Sequence, residues 1–131
     1  MIERRATCSC GKLSAVARGE PIRISICHCH ACQRRTGSVF GAQARFPSEA
    51  VTLEGESKSY VRTGDSGGKI AFHFCPTCGS TVYYVIDGMA DTIAIPVGAF
   101  ADQSFPAPKV SVYEARRHAW AGIPDGVEHY D

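Results

Sequence analysis

The sequence has no hydrophobic run long enough to cross a bilayer, and its first residues are too polar for a secretion signal. Its late apolar stretch, residues 93–101, is interrupted by Pro96 and Gly98 and is far shorter than the roughly 20 residues of a spanning helix. The formal net charge is only +1, so a general polyanion-binding signature is also absent. These absences predict a soluble, cytoplasmic protein that binds neither membranes nor nucleic acid.

Internal repeats, linkers and low-complexity segments are missing as well. The 131 residues, of which 44% are hydrophobic, suit a single domain over residues 1–131 that buries a core. The chain holds 13 Gly and 7 Pro, somewhat more than average usage. This excess favours short strands and many turns over a helical bundle.

Alternating apolar and polar residues predict an all-β fold with about eight short strands. Ile22, Ile24 and Ile26 alternate with Arg23 and Ser25, which predicts a strand that ends at Cys27. A short turn or helix follows this strand. Similar runs occupy residues 13–18, 39–46, 69–75, 81–86, 92–97 and 110–113. Residues 51–53 and 57–62 predict a hairpin, and residues 65–68 predict a turn.

Seven cysteines form an odd number, and their short spacings suit metal chelation more than a disulfide framework. Cys8 and Cys10 lie in one expected turn, Cys75 and Cys78 lie in another, and a glycine follows each pair. Glycine permits the positive φ that turns backbone N–H groups toward sulfur. Four thiolates close one tetrahedral zinc site. Such a site would clamp the beginning of the chain to its middle and stabilise the fold.

The remaining three cysteines stand within six residues, as Cys27-His28-Cys29-His30-Ala31-Cys32. In an extended chain Cys27 and Cys29 face one side, and the two intervening histidines face the other. If a helical turn begins near Cys29, then Cys29 and Cys32 also share a face. Three converging thiolates without a fourth ligand predict an open zinc site with one exchangeable position.

Neighbouring side chains leave alternatives open. A fourth ligand from His28, His30 or His73 would make the second site a closed structural one. His73 shares a strand face with Cys75, which favours an outer supporting role for it. The pair Arg34-Arg35 either offsets thiolate charge, holds a ligand carboxylate or is simply exposed.

Several late residues are expected to have ordinary structural roles. Phe100, Tyr113 and Trp120 are expected in the core. The pair Arg116-Arg117 is expected on a solvated face. His118 and His129 are likewise expected on the surface.

An open tri-thiolate zinc site has a definite chemistry. A thiol that takes the fourth position is deprotonated there, and its thiolate can attack a small carbonyl carbon. Three anionic sulfurs weaken zinc as a Lewis acid, so water activation is disfavoured. Thiol exchange is therefore the preferred interpretation.

Three motifs, in this order and separation, resemble the glutathione-dependent formaldehyde-activating enzyme family, which also includes centromere protein V. They are Cys8-Ser9-Cys10-Gly11, residues 27–34 and Phe74-Cys75-Pro76-Thr77-Cys78-Gly79. The late Pro108, Trp120 and Asp125-Gly126 are similar too, so the resemblance covers nearly the whole chain.

The resemblance implies a β-tent fold of antiparallel sheets with two zinc ions. One is a structural zinc on Cys8, Cys10, Cys75 and Cys78, and the other is a catalytic zinc on Cys27, Cys29 and Cys32. It also implies carbon-sulfur lyase activity that joins glutathione and formaldehyde into S-(hydroxymethyl)glutathione.

Two other interpretations assign the protein to a different functional class. A zinc-stabilised, non-catalytic binding module is the alternative, as in the Rab-associated proteins that share the β-tent. A methionine sulfoxide reductase on this fold needs a late nucleophilic cysteine, and no cysteine follows Cys78. The basic N-terminal extension of the centromeric members is also absent, which disfavours a chromosomal role.

Overall fold

The computed structural model describes residues 1–64 and 66–131. These residues form eleven strands and one α-helix, which confirms the predicted all-β class. No helix among them is long and apolar enough to cross a membrane. The elements are β1 (Glu3–Thr7), β2 (Ser14–Arg18), β3 (Arg23–Cys27), α1 (His30–Thr36), β4 (Gly41–Pro47), β5 (Val51–Glu54), β6 (Lys58–Thr63), β7 (Lys69–Phe74), β8 (Thr81–Ile86), β9 (Thr92–Pro96), β10 (Val110–Val112) and β11 (Glu128–His129).

The strands form two sheets. The small sheet has the order β1-β2-β5, and the large sheet has the order β11-β10-β3-β4-β9-β8-β7-β6. Strand β10 runs parallel to β3 and β11, and the other pairs are antiparallel. The chain therefore returns late to cover the edge of β3, the strand that ends at Cys27.

The main core contains buried residues from the small sheet and from one face of the large sheet. Leu13 and Ala15 pack there with Phe46, Val82 and Ile95, all at most 1% exposed. Alternation along each strand explains this arrangement, because every second side chain points to the same face. Burying a large apolar side chain such as Phe46 contributes roughly 1.5–3 kcal/mol.

The opposite face of the large sheet carries arginine side chains on β3 and β4 and an apolar cluster on β7, β8 and β9. Ile24 of β3 and Ala44 of β4 point into the core, so their neighbours Arg23 and Arg45 point the other way. Arg23 and Arg45 are direct cross-strand partners. This second face forms one wall of the cavity described below.

The predicted hairpin of residues 51–53 and 57–62 is wrong. Strand β5 pairs with β2 in the small sheet, whereas β6 pairs with β7 in the large sheet. Gly55 marks the point of divergence, with φ of +99° and no room for a side chain, since a Cβ there would lie 1.9 Å from the Lys12 carbonyl oxygen. The chain leaves β5 against this carbonyl and does not fold back on itself.

Other differences have simple causes. Strand β1 was not predicted, because its sequence, Glu3–Thr7, is mostly polar. Trp120, expected in the core, is 74% exposed, whereas Phe100 is buried as expected. In the predicted turn, Asp65 lies outside the described residues, and Gly67 donates a backbone hydrogen bond to the Gly64 carbonyl.

Candidate metal centres and the adjoining cavity

The first candidate metal centre contains four free thiols from two turns. Cys8 and Cys10 lie between β1 and β2, and Cys75 and Cys78 lie between β7 and β8. The Cys8 Sγ to Cys10 Sγ distance is 3.7 Å, and the Cys10 Sγ to Cys75 Sγ distance is 3.6 Å. Tetrahedral zinc with bonds of about 2.3 Å holds its sulfurs about 3.8 Å apart. The donor set and its spacing therefore fit a zinc ion.

Backbone donors prepare these sulfurs to carry negative charge. The Leu13 N–H donates to the Cys8 Sγ at 3.2 Å. Backbone N–H groups of Ser80 and Cys10 lower the pKa of Cys78 to about 5. Hydrogen bonds to the charged form of an acid favour that form. These hydrogen bonds therefore favour the thiolate form of Cys78.

The first centre joins the two sheets, because one turn belongs to each. Gly11 and Gly79 adopt φ of +82° and +83°, as the sequence predicted for these turns. The hydroxyls of Ser9 and Ser80 lie 3.0 Å apart and add a second link between the turns. A metal here would cross-link segments that are distant in the sequence.

The second candidate centre contains three buried thiols at the junction of β3 and α1. Cys27 ends β3, Cys29 is the N-cap of α1, and Cys32 lies in the helix. Their sulfurs all lie within 4.8 Å of one another. The Cys32 N–H donates to the Cys29 Sγ at 3.3 Å, which fixes the orientation of the N-cap side chain.

The pKa values of Cys32 and Cys27 are shifted in opposite directions. The hydrogen bond from Cys27, opposed by burial, lowers the pKa of Cys32 to about 5. Cys29 and the Arg35 guanidinium lower it further. The same hydrogen bond, together with burial, raises the pKa of Cys27. Gly41 makes room for this arrangement, because a Cβ there would lie 3.2 Å from Arg35 Nη2 and 3.7 Å from Cys32 Sγ.

No histidine in the described part of the chain joins the three thiols. His28 is fully buried, and its Nε2 lies 3.1 Å from the Ser111 hydroxyl. His73 Nδ1 lies 3.0 Å from the Ser57 hydroxyl, and its ring stacks on Tyr83 with centroids 4.5 Å apart. His30 is exposed. The second group thus offers three ligands where the first offers four.

Tyr113 covers the second centre in a strained conformation. It is one of two non-glycine residues with positive φ in the described chain, at +56°. Its side chain and that of Val112 pack against the three cysteines, and the Arg116 guanidinium lies 5.6 Å from its ring centroid. Strained backbone of this kind concentrates at functional sites.

A cavity of about 330 Å³ opens beside the second centre, and the three cysteines line it. Its other walls come from this second face of the large sheet, including Phe72 and Tyr84. The Arg35 guanidinium lies 4.9 Å from the Phe72 ring centroid and 5.4 Å from that of Tyr84. The cavity also contains four arginines: Arg23, Arg35, Arg45 and Arg62.

Comparison with known proteins identifies the family. Residues 3–116 match the family described as glutathione-dependent formaldehyde-activating enzyme. The chain belongs to this family. Its fold is similar to a crystal structure of a Rhodobacter sphaeroides protein that was a structural genomics target, with TM-score 0.57 and 16% identity. That similarity covers 97% of this chain and 99% of the other. No significant match was found among curated proteins.

In this family member, the structure brings the seven sequence-predicted cysteines together as one group of four and one group of three. The two neighbouring arginines have different surroundings. Arg35 reaches Cys32, whereas Arg34 is exposed beside a second groove of about 560 Å³. His118 and His129 are exposed, as expected. His118 Nε2 lies 3.0 Å from Gln33 Oε1 and so links the late segment to α1.

Sequence reasoning missed the three arginines of β3, β4 and β6. Arg23 precedes Cys27 by four residues, so strand alternation already places both on the same face. That signal was available. Arg45 could not be placed in the same way, because it reaches the cavity only through the pairing of β4 with β3.

Proposed function

We propose that this protein is a zinc-dependent carbon-sulfur lyase-type enzyme that joins a thiol to a small aldehyde. The description of its family names this pair as glutathione and formaldehyde. The thiol sulfur attacks the carbonyl carbon, a C–S bond forms, and the C=O π bond breaks. The thiol proton is transferred to the former carbonyl oxygen, which gives a hydroxymethyl thioether.

The observation that carries this proposal is the group of three buried thiols on a cavity wall. Cys27, Cys29 and Cys32 supply a donor set that suits zinc, and the described chain adds no fourth ligand. When bound, zinc supplies a position at which an incoming thiol favours its deprotonated form. In the first group, four sulfurs leave no such position.

The chain's own residues support this chemistry in separate ways. The Arg35 guanidinium offsets the charge of the three thiolates from beside Cys32. Tyr113 and Val112 cover the sulfurs and limit the access of water. Gln33 donates from Nε2 to the His28 carbonyl at 2.9 Å, which holds the start of α1 against the end of β3.

Zinc counting combined with product detection tests the proposal. We expect two zinc ions per chain in the wild-type protein and one in Cys27→Ser, with the fold retained. ¹³C NMR of labelled formaldehyde with glutathione should show faster adduct formation with wild-type protein than with Cys27→Ser. Equal rates with both proteins and with buffer alone would contradict the assignment for this substrate pair.

The alternative, a zinc-stabilised binding module without activity, makes a different prediction. In that case no thiol would change the environment of the second metal. Cobalt substitution provides the measurement, because the visible spectrum of Co²⁺ changes when a thiolate enters its coordination sphere. A spectrum that is unchanged by glutathione and by smaller thiols would favour the binding module.

A further inference from the structure

One edge of the large sheet is open. Strand β6 is its last strand, and among the described residues no other strand pairs with its outer side. With six residues, it is the longest edge strand in the described part of the chain. It contains no proline, and its pairing with β7 has no bulge. Proteins usually protect an edge of this kind, because its free N–H and C=O groups can pair with another strand.

Strand β6 is also exposed on both faces. All its residues except Arg62 are exposed, and its large apolar residues, Tyr60 and Val61, are 63% and 53% exposed. Tyr60 lies on the cavity face opposite Phe72, and Val61 lies on the other face opposite Ala71. Tyrosine and valine suit a half-buried sheet surface. A further strand along this edge would bury part of both side chains.

The backbone hydrogen bonds show which groups of β6 remain free. The Gly64 N–H donates to the Gly68 carbonyl at 2.7 Å, in the register that continues the pairing of β6 with β7. The Asp87 N–H donates to the Lys69 carbonyl at 2.8 Å, which gives the same alternation from the β8 side of β7. Bonded and non-bonded pairs alternate in an antiparallel ladder, so the even-numbered residues of β6 bond to β7. The backbone groups that point outward belong to the odd-numbered residues Ser59, Val61 and Thr63.

A second copy of the same strand fits these free groups. Two β6 strands related by a two-fold axis perpendicular to the sheet run antiparallel, and their equivalent faces stay on the same side. An axis at Val61 places Val61 opposite Val61 of the second copy, and Ser59 opposite Thr63 of the second copy. Every residue in these pairs has outward backbone groups. The pairing therefore forms about six backbone hydrogen bonds, two from each facing pair.

The side chains select the axis at Val61 over its neighbours. In this register Tyr60 lies directly opposite Arg62 of the second copy, and Lys58 lies opposite Gly64 of the second copy. An axis at Tyr60 would instead place Lys58 opposite Arg62, and an axis at Arg62 would place two arginines opposite each other. Like charges directly opposite destabilise a sheet, whereas a guanidinium beside an aromatic ring is attracted to it. Only the axis at Val61 is thus electrostatically complementary to itself.

We propose that this protein forms a two-fold symmetric dimer through β6, in which the two large sheets join into one continuous sheet with Val61 on the axis. The two cavities lie on the same face of the joined sheet. Arg62 lines its own cavity and contacts Tyr60 of the second copy, so each copy adds a side chain to the border of the other's cavity. One strand from each copy makes an interface smaller than the standard area of about 1,600 Å². The dimer is therefore in equilibrium with the monomer.

Sedimentation velocity of the zinc-loaded protein over a range of concentrations tests the dimer. The wild type should change from monomer to dimer as its concentration rises. Val61→Lys places two ammonium groups opposite each other on the axis and should raise the dissociation constant at least about tenfold. Val61→Thr keeps a β-branched side chain without charge and should dimerise like the wild type. Leu53→Lys adds the same charge to the exposed edge strand β5 and should also dimerise like the wild type.

Disulfide cross-linking tests the register. The Cα atoms of a hydrogen-bonded pair lie about 5.5 Å apart, which is within the range of a disulfide bond. With oxidised dithiothreitol, zinc-loaded Val61→Cys should form a covalent dimer faster than Leu53→Cys and faster than the wild type, which gives the background of the native thiols. Faster cross-linking of Tyr60→Cys than of Val61→Cys would contradict the proposed axis.

Two results would overturn the dimer itself. The first is a monomer at every concentration, with equal cross-linking rates for Val61→Cys and Leu53→Cys. The second is a monomer that binds a synthetic peptide of alternating glutamate and tyrosine, with binding lost in Val61→Lys, because β6 would then pair with a foreign acidic strand. Neither result depends on adduct formation, so the dimer and the proposed enzyme activity can fail separately.

Discussion

Replacing one sulfur in each candidate centre should affect stability and activity differently. Cys75→Ser should mainly lower the stability of the fold, whereas Cys27→Ser should mainly lower the activity. Cys75→Ser removes a buried ligand from the first centre with little change in volume. Cys27→Ser does the same in the second centre. The first centre connects turns of different sheets, and 64 residues (11–74) separate Cys10 from Cys75. The second centre lies within residues 27–32 and closes almost no loop.

The magnitude follows from the entropy of the unfolded chain. A cross-link that closes a loop of this length lowers the entropy of the unfolded state by an amount that corresponds to about 4 kcal/mol at 25 °C. For a chain of this length, that loss lowers the melting temperature by about 15 °C. Loss of the sulfur–metal bonds themselves adds to this figure, so it is a minimum for Cys75→Ser.

The assay is urea unfolding of the zinc-loaded proteins, followed by far-UV circular dichroism, with zinc counted on the same samples. Cys75→Ser should lose one zinc and at least about 4 kcal/mol of unfolding free energy. Cys27→Ser should also lose one zinc and the stabilisation by its sulfur–metal bonds, but should lose about 4 kcal/mol less unfolding free energy than Cys75→Ser, because no long loop opens. The reasoning fails if Cys27→Ser is as destabilised as Cys75→Ser, or if Cys75→Ser unfolds like the wild type.

Three further predictions concern single residues. Gly55→Ala should lower the unfolding free energy by at least about 3 kcal/mol, because its Cβ would meet a backbone carbonyl. Gly126 also has positive φ but lies in open space, so Gly126→Ala should cost only about 1 kcal/mol. Equal urea midpoints for the two variants would contradict this prediction. In metal-free, reduced protein at pH 6.5, iodoacetamide should modify Cys32 before Cys27, as mass-spectrometric mapping would reveal, and the reverse order would refute the pKa assignments. Burial lowers the pKa of His73, so the unfolded chain takes up a proton first, and stability should fall as the pH drops below about 6.5. His73→Gln should weaken this pH dependence of the unfolding free energy. Parallel curves of unfolding free energy against pH for the two proteins would argue against the prediction.

The sequence predicted the grouping of the cysteines better than it predicted the strand pairing. The partition of the cysteines needs only short-range spacing and the preference of glycine for positive φ, and both are local properties. The hairpin prediction failed because the partner of a strand is decided by distant residues: β5 pairs with β2, which lies more than 30 residues earlier in the chain. Alternation identifies which residues of a strand share a face but not which strand lies beside it.

The same limit explains the incomplete prediction of the cavity. Arg35 lies three residues after Cys32, so a position near the thiolates was one of the alternatives that the sequence left open. Arg45 and Arg62 lie on strands that reach the cavity through sheet pairing, and Tyr113 arrives from the late segment next to β10. Trp120 was misplaced because its size suggested burial, whereas the chain there follows the surface at 74% exposure.

The two centres differ because of how the chain delivers their sulfurs. The first takes two thiols from each of two turns, so four candidate ligands meet. The second takes all its thiols from one strand-to-helix junction, and a segment that passes from extended to helical geometry carries only Cys27, Cys29 and Cys32 to one side. A fourth ligand would have to come from a facing element, and the elements that face this junction present arginine and aromatic side chains. Neither type of side chain is a usual zinc ligand. The proposed open coordination position and the basic cavity thus share one cause in the fold: the face of the large sheet that carries the arginines lies beside the group of three thiols.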